Sequence, residues 1–306
     1  MLTFAIVGAG VMGTNHARVA RALPGVRIAY VVDPDGKCAE RVAASCGAQP
    51  AGDLADVLGR VDCAIVASPS AHHCEHGVRL LRSGVHVLVE KPIATTPEEA
   101  AQLVAVAADT GLVLQVGHTE RFNPAVLELD RLGHDLVHID AVRISPYSSR
   151  IRIGVVLDLM IHDLDIVLSL ADGDVVDVFA TAQRTRSTSE DLVNALIRFD
   201  NGVTASLAAS RIGQNKIRTL ALTRKSDYVT VDLLRQDVTI HRVHQSEYLS
   251  DEGMRYRQTG VVELPFLENR GRRVGPEGEE GDDPCTRTIV SPPWCRPTTR
   301  RSSSPR

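Results

Sequence analysis

One lysine of this chain stands where it could take part in chemistry. Lys91 lies in the sequence Glu90-Lys91-Pro92, directly after the apolar run 85–89. The chain has four lysines among 34 basic residues, so arginine provides nearly all of its positive charge. Unlike arginine, lysine can lose its proton when it is desolvated. We therefore predict that Lys91 meets a reacting group at the end of a strand.

A glycine pattern near the amino terminus has the form that binds the phosphates of a dinucleotide. Gly8, Gly10 and Gly13 follow a short apolar run and precede a helical pattern, as this fingerprint requires. Asp33 ends the next apolar run, where a carboxylate can bond the adenosine ribose and repel a 2′-phosphate. The pattern favours an NAD site, with NAD preferred over NADP, rather than a purely structural glycine turn.

A polar stripe runs along the helix predicted at 156–171. Its members, Asp158, His162, Asp165 and Ser169, fall within an arc of about 60°, and most other residues of this helix are apolar. The stripe fits a buried helix with one face on a polar cleft. It fits equally well an ordinary amphipathic helix with a solvent face.

Two other polar runs have more than one interpretation. The run 72–76 contains three histidines, but no second ligand cluster accompanies it, so we predict no metal site. His118, Arg121 and Asn123 lie past the end of another predicted strand. They could hold an anionic or hydroxylated substrate, or they could brace a domain junction.

The elements that must position these residues change in type along the chain. Across residues 1–120, short apolar runs alternate with helical patterns, which predicts an α/β domain with a doubly wound parallel sheet, the Rossmann arrangement. Across residues 121–268, consecutive strand-like runs follow a long helix, which predicts an α+β domain with an open, largely antiparallel sheet. Residues 269–306 are rich in Arg, Pro, Gly and Ser, and we predict a disordered tail.

Composition argues against several classes of protein. The formal charge of -4 and the pI near 6.3 give no overall attraction to nucleic acid or to an anionic membrane. No apolar run reaches the ~20 residues of a membrane helix, and the amino terminus lacks the charged region of a signal peptide. The six cysteines show no Cys-x-x-Cys pair. We expect a cytoplasmic protein with reduced cysteines and with no nucleic-acid or membrane partner.

The order of the motifs resembles the glucose-fructose oxidoreductase/inositol dehydrogenase family over residues 1–266. The resemblance rests on the glycine fingerprint, on Glu90-Lys91-Pro92 and on Asp158-x-x-x-His162. It implies a Rossmann domain followed by an α+β domain whose open sheet lines the substrate cleft and often mediates oligomers. It also implies catalytic roles for Lys91, Asp158 and His162. The strings 116–124 and 158–163 are similar to a narrower group, the UDP-N-acetylglucosamine 3-dehydrogenases.

From this resemblance we expect NAD-dependent oxidation of a secondary hydroxyl of a sugar, namely C3 of UDP-N-acetylglucosamine. We expect His162 to act as base, Asp158 to orient it or share the proton, and Lys91 to bond the reacting oxygen. The alternatives are an inositol or other polyol dehydrogenase, a redox-neutral NAD-dependent glycosidase and a non-catalytic NAD-sensing partner protein. We also expect a homo-oligomer through the second-domain sheet. The predicted substrate contacts are His118, Arg121 and Asn123, and the predicted cofactor contacts are Gly8, Gly10, Val11, Met12, Gly13, Asp33, Ser68, Pro69, His73, Glu90 and Lys91.

Overall fold

Two β-sheets follow each other along the chain in the computed structural model. It describes residues 1–132, 135–148, 151, 153–250 and 253–265. The predicted tail, residues 269–306, lies outside the described residues. None of the described helices is long and apolar enough to cross a lipid bilayer.

The first sheet has six strands, all paired in parallel, in the order β3-β2-β1-β4-β5-β6. The order reverses beside β1, which is where ligands bind in doubly wound sheets. This confirms the predicted fold class, although the short strand β3 was missed because its sequence has no apolar run. The strands are β1 (Leu2–Val7), β2 (Val26–Val32), β3 (Gln49–Ala51), β4 (Cys63–Val66), β5 (His86–Val89) and β6 (Leu114–Val116).

Four helices connect these strands, and their ends follow from local capping. The Asp35 carboxylate caps the second helix, and the Thr96 hydroxyl accepts the Glu99 N–H at the start of the fourth. The Glu99 side chain reaches back to Thr95 rather than to Thr96, so the return bond of a capping box is displaced by one residue. Gly111, with a φ of +67°, ends the fourth helix. The helices are α1 (Val11–Ala20), α2 (Gly36–Cys46), α3 (His73–Arg82) and α4 (Pro97–Thr110).

The second sheet has eight strands in the order β14-β13-β12-β11-β7-β10-β9-β8. Its pairs are antiparallel except β7 with β10, as expected for a largely antiparallel sheet. The helices of this part are α5 (Pro124–Arg131) and α6 (Ile161–Ala171), and a π-helical turn at Val156–Met160 leads into α6. The strands are β7 (Leu136–Ile144), β8 (Val175–Gln183), β9 (Leu192–Phe199), β10 (Thr204–Ser210), β11 (Ile217–Arg224), β12 (Tyr228–Asp232), β13 (Asp237–Ser250) and β14 (Gly253–Glu263).

Helix α6 covers one face of the second sheet and leaves the other open. Ile166 and Val167 of the helix are buried with Ile139 of β7 and Leu207 of β10 in one hydrophobic cluster. This packing fixes the helix against the sheet, so that the polar side chains of its first turns reach the edge of the first sheet. The two sheets are consecutive in the chain, with β6 ending at Val116 and β7 starting at Leu136, and the boundary at residue 120 stays a prediction.

Candidate active site

Lys91 connects the first sheet to the helical segment of the second. Its Nζ donates a hydrogen bond of 2.8 Å to the backbone oxygen of Asp158 and lies 3.7 Å from Asp158 Oδ1. Burial lowers the pKa of Lys91, and the carboxylates of Asp158 and Glu90 oppose this shift. The ammonium therefore releases its proton more readily than that of a surface lysine.

Asp158 and His162 each have a polar atom with no assigned bond. Asp158 Oδ2 and His162 Nδ1 are buried and have no hydrogen-bond partner among the described residues. Buried polar atoms are nearly always paired in folded proteins. Asp158 contacts Lys91, and the charge of Lys91 acts on His162, so the two unpaired atoms favour a hydroxylated ligand beside Lys91.

Burial and neighbouring cations keep His162 neutral. The pKa of His162 falls from 6.5 to about 2, first because burial penalises the charged ring and then because Lys91, Arg143 and Arg218 are nearby. At neutral pH the ring is therefore uncharged. It can keep a proton only if a negative charge compensates for it, and the Asp158 carboxylate in the same segment could do so.

The glycine loop between β1 and α1 fits a dinucleotide. Gly8 has a φ of +100°, and a Cβ on Gly13 would lie 1.8 Å from the backbone oxygen of Gly8, so α1 approaches β1 as closely as the fingerprint requires. Among the described residues, a Cβ on Gly10 would meet nothing within 4 Å. No described side chain caps the start of α1, whose first N–H groups can therefore bind a phosphate. Two exposed side chains adjoin the loop, Val11 and Met12.

Asp33 is bonded to the same loop. Its Oδ2 accepts the Ala9 N–H at 2.7 Å and its Oδ1 accepts the Asp35 N–H at 2.9 Å. The exposed Arg41 donates to the Ala9 carbonyl at 3.2 Å. The Asp33 carboxylate and the Arg41 guanidinium thus both lie beside the loop, at the predicted ribose position. A contact of Asp33 with the cofactor stays a prediction.

Ser68, Pro69 and His73 follow β4 at the carboxyl edge of the first sheet. The Ser68 hydroxyl is 3.1 Å from His76 Nδ1, and Pro69 is exposed. His73 differs from the other two because it is only 1% exposed. Its Nδ1 lies 2.7 Å from the Pro92 carbonyl and its Nε2 lies 2.8 Å from the Ser68 carbonyl.

Glu90 lies next to the catalytic lysine candidate but points elsewhere. Its Oε1 is 2.6 Å from Nε2 of His16 on α1, and its Oε2 accepts the Lys91 N–H at 3.3 Å. The residue is 7% exposed. Glu90 therefore joins the strand end that bears Lys91 to the first helix of the sheet, and its predicted cofactor contact is untested.

Two of the predicted substrate residues meet the polar stripe of α6. Arg121 Nε donates to Asp165 Oδ2 at 2.5 Å, and a second, very short bond joins Arg121 Nη2 to Asp165 Oδ1. His118 Nδ1 lies 3.9 Å from the same carboxylate, and burial lowers the pKa of His118. Ser169, further along the stripe, is exposed. The amino-terminal part of the stripe thus faces polar groups rather than solvent.

The third predicted substrate residue, Asn123, has local partners. Its Oδ1 accepts the Ala125 N–H at 3.1 Å and so caps α5, and its Nδ2 donates to the Leu233 carbonyl at 3.0 Å. These bonds correspond to the bracing role that the sequence left open. A substrate contact by Asn123 stays a prediction.

Sequence reasoning missed an ionic cluster near His162. Arg143, 0% exposed, bonds both carboxylate oxygens of Asp163 at 2.8 and 2.7 Å and lies 3.2 Å from Glu120 Oε1. Arg218 donates to the same Glu120 oxygen at 2.9 Å and pairs with Arg143 across β7 and β11. A signal was present, because Arg143 shares the inward face of β7 with apolar residues.

Within the described ranges, no three His, Cys, Asp or Glu side chains come together as a metal-binding group. The histidines at 72 and 76 stack instead, with ring centroids 5.7 Å apart.

Known proteins share this architecture. Residues 2–118 match the family model described as GFO_IDH_MocA, an oxidoreductase family with an NAD-binding Rossmann fold, and residues 137–223 match the GFO/IDH/MocA C-terminal domain. The crystallised UDP-N-acetylglucosamine 3-dehydrogenase GnnA from Acidithiobacillus ferrooxidans has a TM-score of 0.76 and 30% sequence identity, covering 87% of this chain and 84% of that chain.

Curated proteins give the same picture. The chain is 34% identical over 244 residues to the UDP-N-acetylglucosamine 3-dehydrogenase of Acidithiobacillus ferrooxidans, covering 78% of this chain and 76% of that protein. It is 26% identical over 284 residues to the scyllo-inositol 2-dehydrogenase (NAD(+)) of Bacillus subtilis, covering 85% and 83%. With both of its sheets matched, the chain belongs to the GFO/IDH/MocA family of NAD-binding oxidoreductases.

Proposed function

We propose that this oxidoreductase is a dehydrogenase that oxidises a secondary hydroxyl of a nucleotide sugar, namely C3 of UDP-N-acetylglucosamine. The observation behind the chemistry is that Lys91 bonds Asp158 and that its charge acts on His162, while Asp158 Oδ2 and His162 Nδ1 have no partner among the described residues. The similarity to the Acidithiobacillus ferrooxidans enzyme supports the choice of sugar.

The residues of the cleft divide the work of alcohol oxidation. NAD, held at the glycine loop, would supply the hydride acceptor. The substrate hydroxyl would give its proton to the neutral ring of His162, while the Lys91 ammonium donates a hydrogen bond to the oxygen and favours the developing alkoxide. The free Oδ2 of Asp158 would offset the charge on the protonated ring. His118 and Arg121 would contact the sugar from the loop after β6.

Assays with a panel of alcohols test the substrate. UDP-N-acetylglucosamine, UDP-glucose, myo-inositol and scyllo-inositol would each be incubated with NAD, and formation of reduced cofactor followed by absorbance. We expect the highest kcat/KM with UDP-N-acetylglucosamine. A higher kcat/KM for an inositol would show that the substrate is a polyol rather than a nucleotide sugar. The proposed dehydrogenase chemistry would not change.

The same assay separates the other two hypotheses. A redox-neutral glycosidase would cleave a glycoside without net formation of reduced cofactor, because it takes the hydride back. An NAD-sensing partner protein would bind NAD but turn over no substrate. The joint presence of Lys91 and His162 in one cleft favours an enzyme over a sensor.

We further propose that two copies associate through the open face of the second sheet. Strand β8 is exposed along its whole length, and Phe179 on it is 70% exposed. Leu196 on the neighbouring strand β9 is 49% exposed. An apolar face of this kind is typical of an association site. Light scattering should give twice the chain mass for the wild type and the single-chain mass for Phe179→Asp.

A further inference from the structure

A short hydrogen bond joins helix α1 to the residue before Lys91. Nε2 of His16 on α1 lies 2.6 Å from Oε1 of Glu90. The two side chains are 20% and 9% exposed, so water screens the contact only in part. A carboxylate accepts hydrogen bonds, so the N–H at Nε2 of the ring is the donor. A bond to a charged acceptor is roughly twice as strong as a neutral one.

The Glu90 carboxylate is confined on its other sides as well. Its Oε2 accepts the Lys91 N–H at 3.3 Å. Gly117, directly after β6, leaves the room that the carboxylate occupies, because a Cβ on Gly117 would lie 3.3 Å from both Cδ and Oε1 of Glu90. The carboxylate thus fills a space between α1 and the end of β6, and His16 gives its one side-chain hydrogen bond among the described residues.

Without the His16 bond, the Glu90 carboxylate would compete for Lys91. A mostly buried carboxylate oxygen that loses its donor is costly to leave unpaired, and the ammonium of the next residue offers a replacement. Glu90 already acts electrostatically on this ammonium, as Asp158 does. An ion pair of Glu90 with Lys91 would draw Nζ away from the backbone oxygen of Asp158, which now lies 2.8 Å from it.

We propose that His16 is a positioning residue, which holds the Glu90 carboxylate at α1 and so leaves the Lys91 ammonium to Asp158 and to the substrate oxygen. The catalytic half of this inference rests on the role proposed above for Lys91. Helix α1 also begins at the glycine loop. One helix therefore bounds the phosphate site at its first turn and fixes the surroundings of the lysine from its second.

Two substitutions separate the hydrogen bond from the bulk of the ring. A glutamine places an amide N–H near the position of Nε2, whereas an asparagine places one near Nδ1. His16→Gln should therefore keep the bond to Glu90, and His16→Asn should lose it. His16→Ala removes the ring and the bond together, and the Gln and Asn variants keep the test open if this one folds poorly. The matched control is Arg18→Ala, at an exposed position of the same helix.

Lysine NMR on the whole protein reports on Lys91 without any assay of activity. The chain has four lysines, so labelling with ¹³C at Cε gives few signals, and Lys91→Ala identifies the one from Lys91. We expect this signal to move in His16→Ala and His16→Asn, and to stay in place in His16→Gln and Arg18→Ala. In Glu90→Gln protein, His16→Ala should move it no further, because an amide carries no charge to draw the ammonium.

Two NMR results would overturn the proposal. One is a Lys91 signal that is the same in His16→Gln and His16→Asn. The other is a signal that responds to His16→Ala as strongly in Glu90→Gln protein as in the wild type, because His16 would then act on the lysine by another route.

Turnover tests the consequence for catalysis. We expect kcat at saturating substrate to fall by about 10- to 100-fold in His16→Ala and His16→Asn, and to stay near the wild-type value in His16→Gln. The Kd for NAD, measured by calorimetry, should change little in all three. Equal kcat in the Gln and Asn variants, or a loss confined to NAD affinity, would overturn the positioning role. Lysine signals that respond as expected in a protein that oxidises no alcohol would instead refute the proposed function and leave the contact of His16 standing.

Discussion

The Nζ atom of Lys91 lies 2.8 Å from the backbone oxygen of Asp158 and 3.7 Å from its Oδ1. Lys91 belongs to the loop after β5 and Asp158 to the π-helical turn before α6, so one cation joins the first sheet to the helix of the second. The two residues define the cleft together, and a change at either one alters the position of the other.

Replacing Lys91 should remove activity while sparing cofactor binding. We expect Lys91→Ala to lower kcat by ~10²–10³, the usual cost of losing a donor that stabilises a developing oxyanion. Lys91→Arg keeps the charge but should restore little activity, because the planar guanidinium cannot place a donor where the compact ammonium does. Calorimetry of NAD binding is the control. A Lys91→Ala enzyme with near wild-type kcat would exclude a catalytic role.

The two residues on the helical segment should differ in their effects. We expect His162→Ala to reduce kcat strongly, since the proton acceptor is lost, and Asp158→Asn to reduce it less, since it only orients and stabilises the ring. The comparison uses kcat at saturating substrate for both variants. A larger loss for Asp158→Asn would instead make the carboxylate the proton acceptor.

His162 should make the protein sensitive to acid. Its pKa is about 2 in the folded chain and near 6.5 when unfolded, so between these values only the unfolded state binds the proton. The free energy of unfolding therefore falls as the pH drops below 6.5, by up to ~1.4 kcal/mol per pH unit from this group. Urea titrations at several pH values should show a shallower fall in His162→Asn, but not in the exposed control His72→Asn. Parallel curves would contradict the depressed pKa.

Cofactor choice should depend on Asp33 and Arg41 together. We expect the wild type to prefer NAD, because the Asp33 carboxylate would repel a 2′-phosphate. Asp33→Ser should narrow the difference in kcat/KM, because the guanidinium of Arg41, already bonded to the Ala9 carbonyl, would then face the phosphate unopposed. The double variant Asp33→Ser/Arg41→Ala should lose the improvement in kcat/KM with NADP that Asp33→Ser gives. A wild type that prefers NADP would refute the role of Asp33.

Removing one partner of the buried Arg143–Asp163 pair should destabilise the protein more than removing both partners. Arg143→Met leaves Asp163 buried without its partner, and we expect a loss of about 3–5 kcal/mol in the free energy of unfolding. The double variant Arg143→Met/Asp163→Leu should recover much of this free energy of unfolding, because it leaves no unpaired carboxylate at position 163. The control is Arg198→Met, because the pair of Arg198 with Asp177 is exposed and worth about 0–1 kcal/mol. Similar losses for the single variants at 143 and 198 would refute the argument.

Local signals predicted the elements of the first sheet well. Helix α4 runs from Pro97 to Thr110 as its pattern indicates, because the Thr96 hydroxyl and Gly111 fix its two ends within a few residues. The glycine loop was predictable for the same reason, since Gly8 and Gly13 meet each other directly. In each case the contacts that decide the structure are close in sequence.

Contacts between distant residues could not be predicted in this way. Arg143 and Asp163 lie on different elements, and the local sequence around either residue does not indicate that the two residues pair. The carboxyl-terminal half of β13, which ends at Ser250, is held by pairing with β14 rather than by an alternating pattern. The double contact of His73 likewise depends on two loops that only the folded sheet brings together.

Because of the π-helical turn, the geometry of the cleft depends on how many residues the turn contains. In this turn the Ile161 N–H reaches back to the Val156 oxygen, five positions away, so the helix holds one residue more than an α-helix would need there. Deleting a single residue from the turn would restore the regular helix. If the deleted residue lies between Asp158 and His162, the deletion would also change the angle between these two side chains about the helix axis, while the apolar face of α6 stayed on the sheet. Insertions and deletions in this turn would therefore change the spacing of Asp158 and His162, which a substitution does not change.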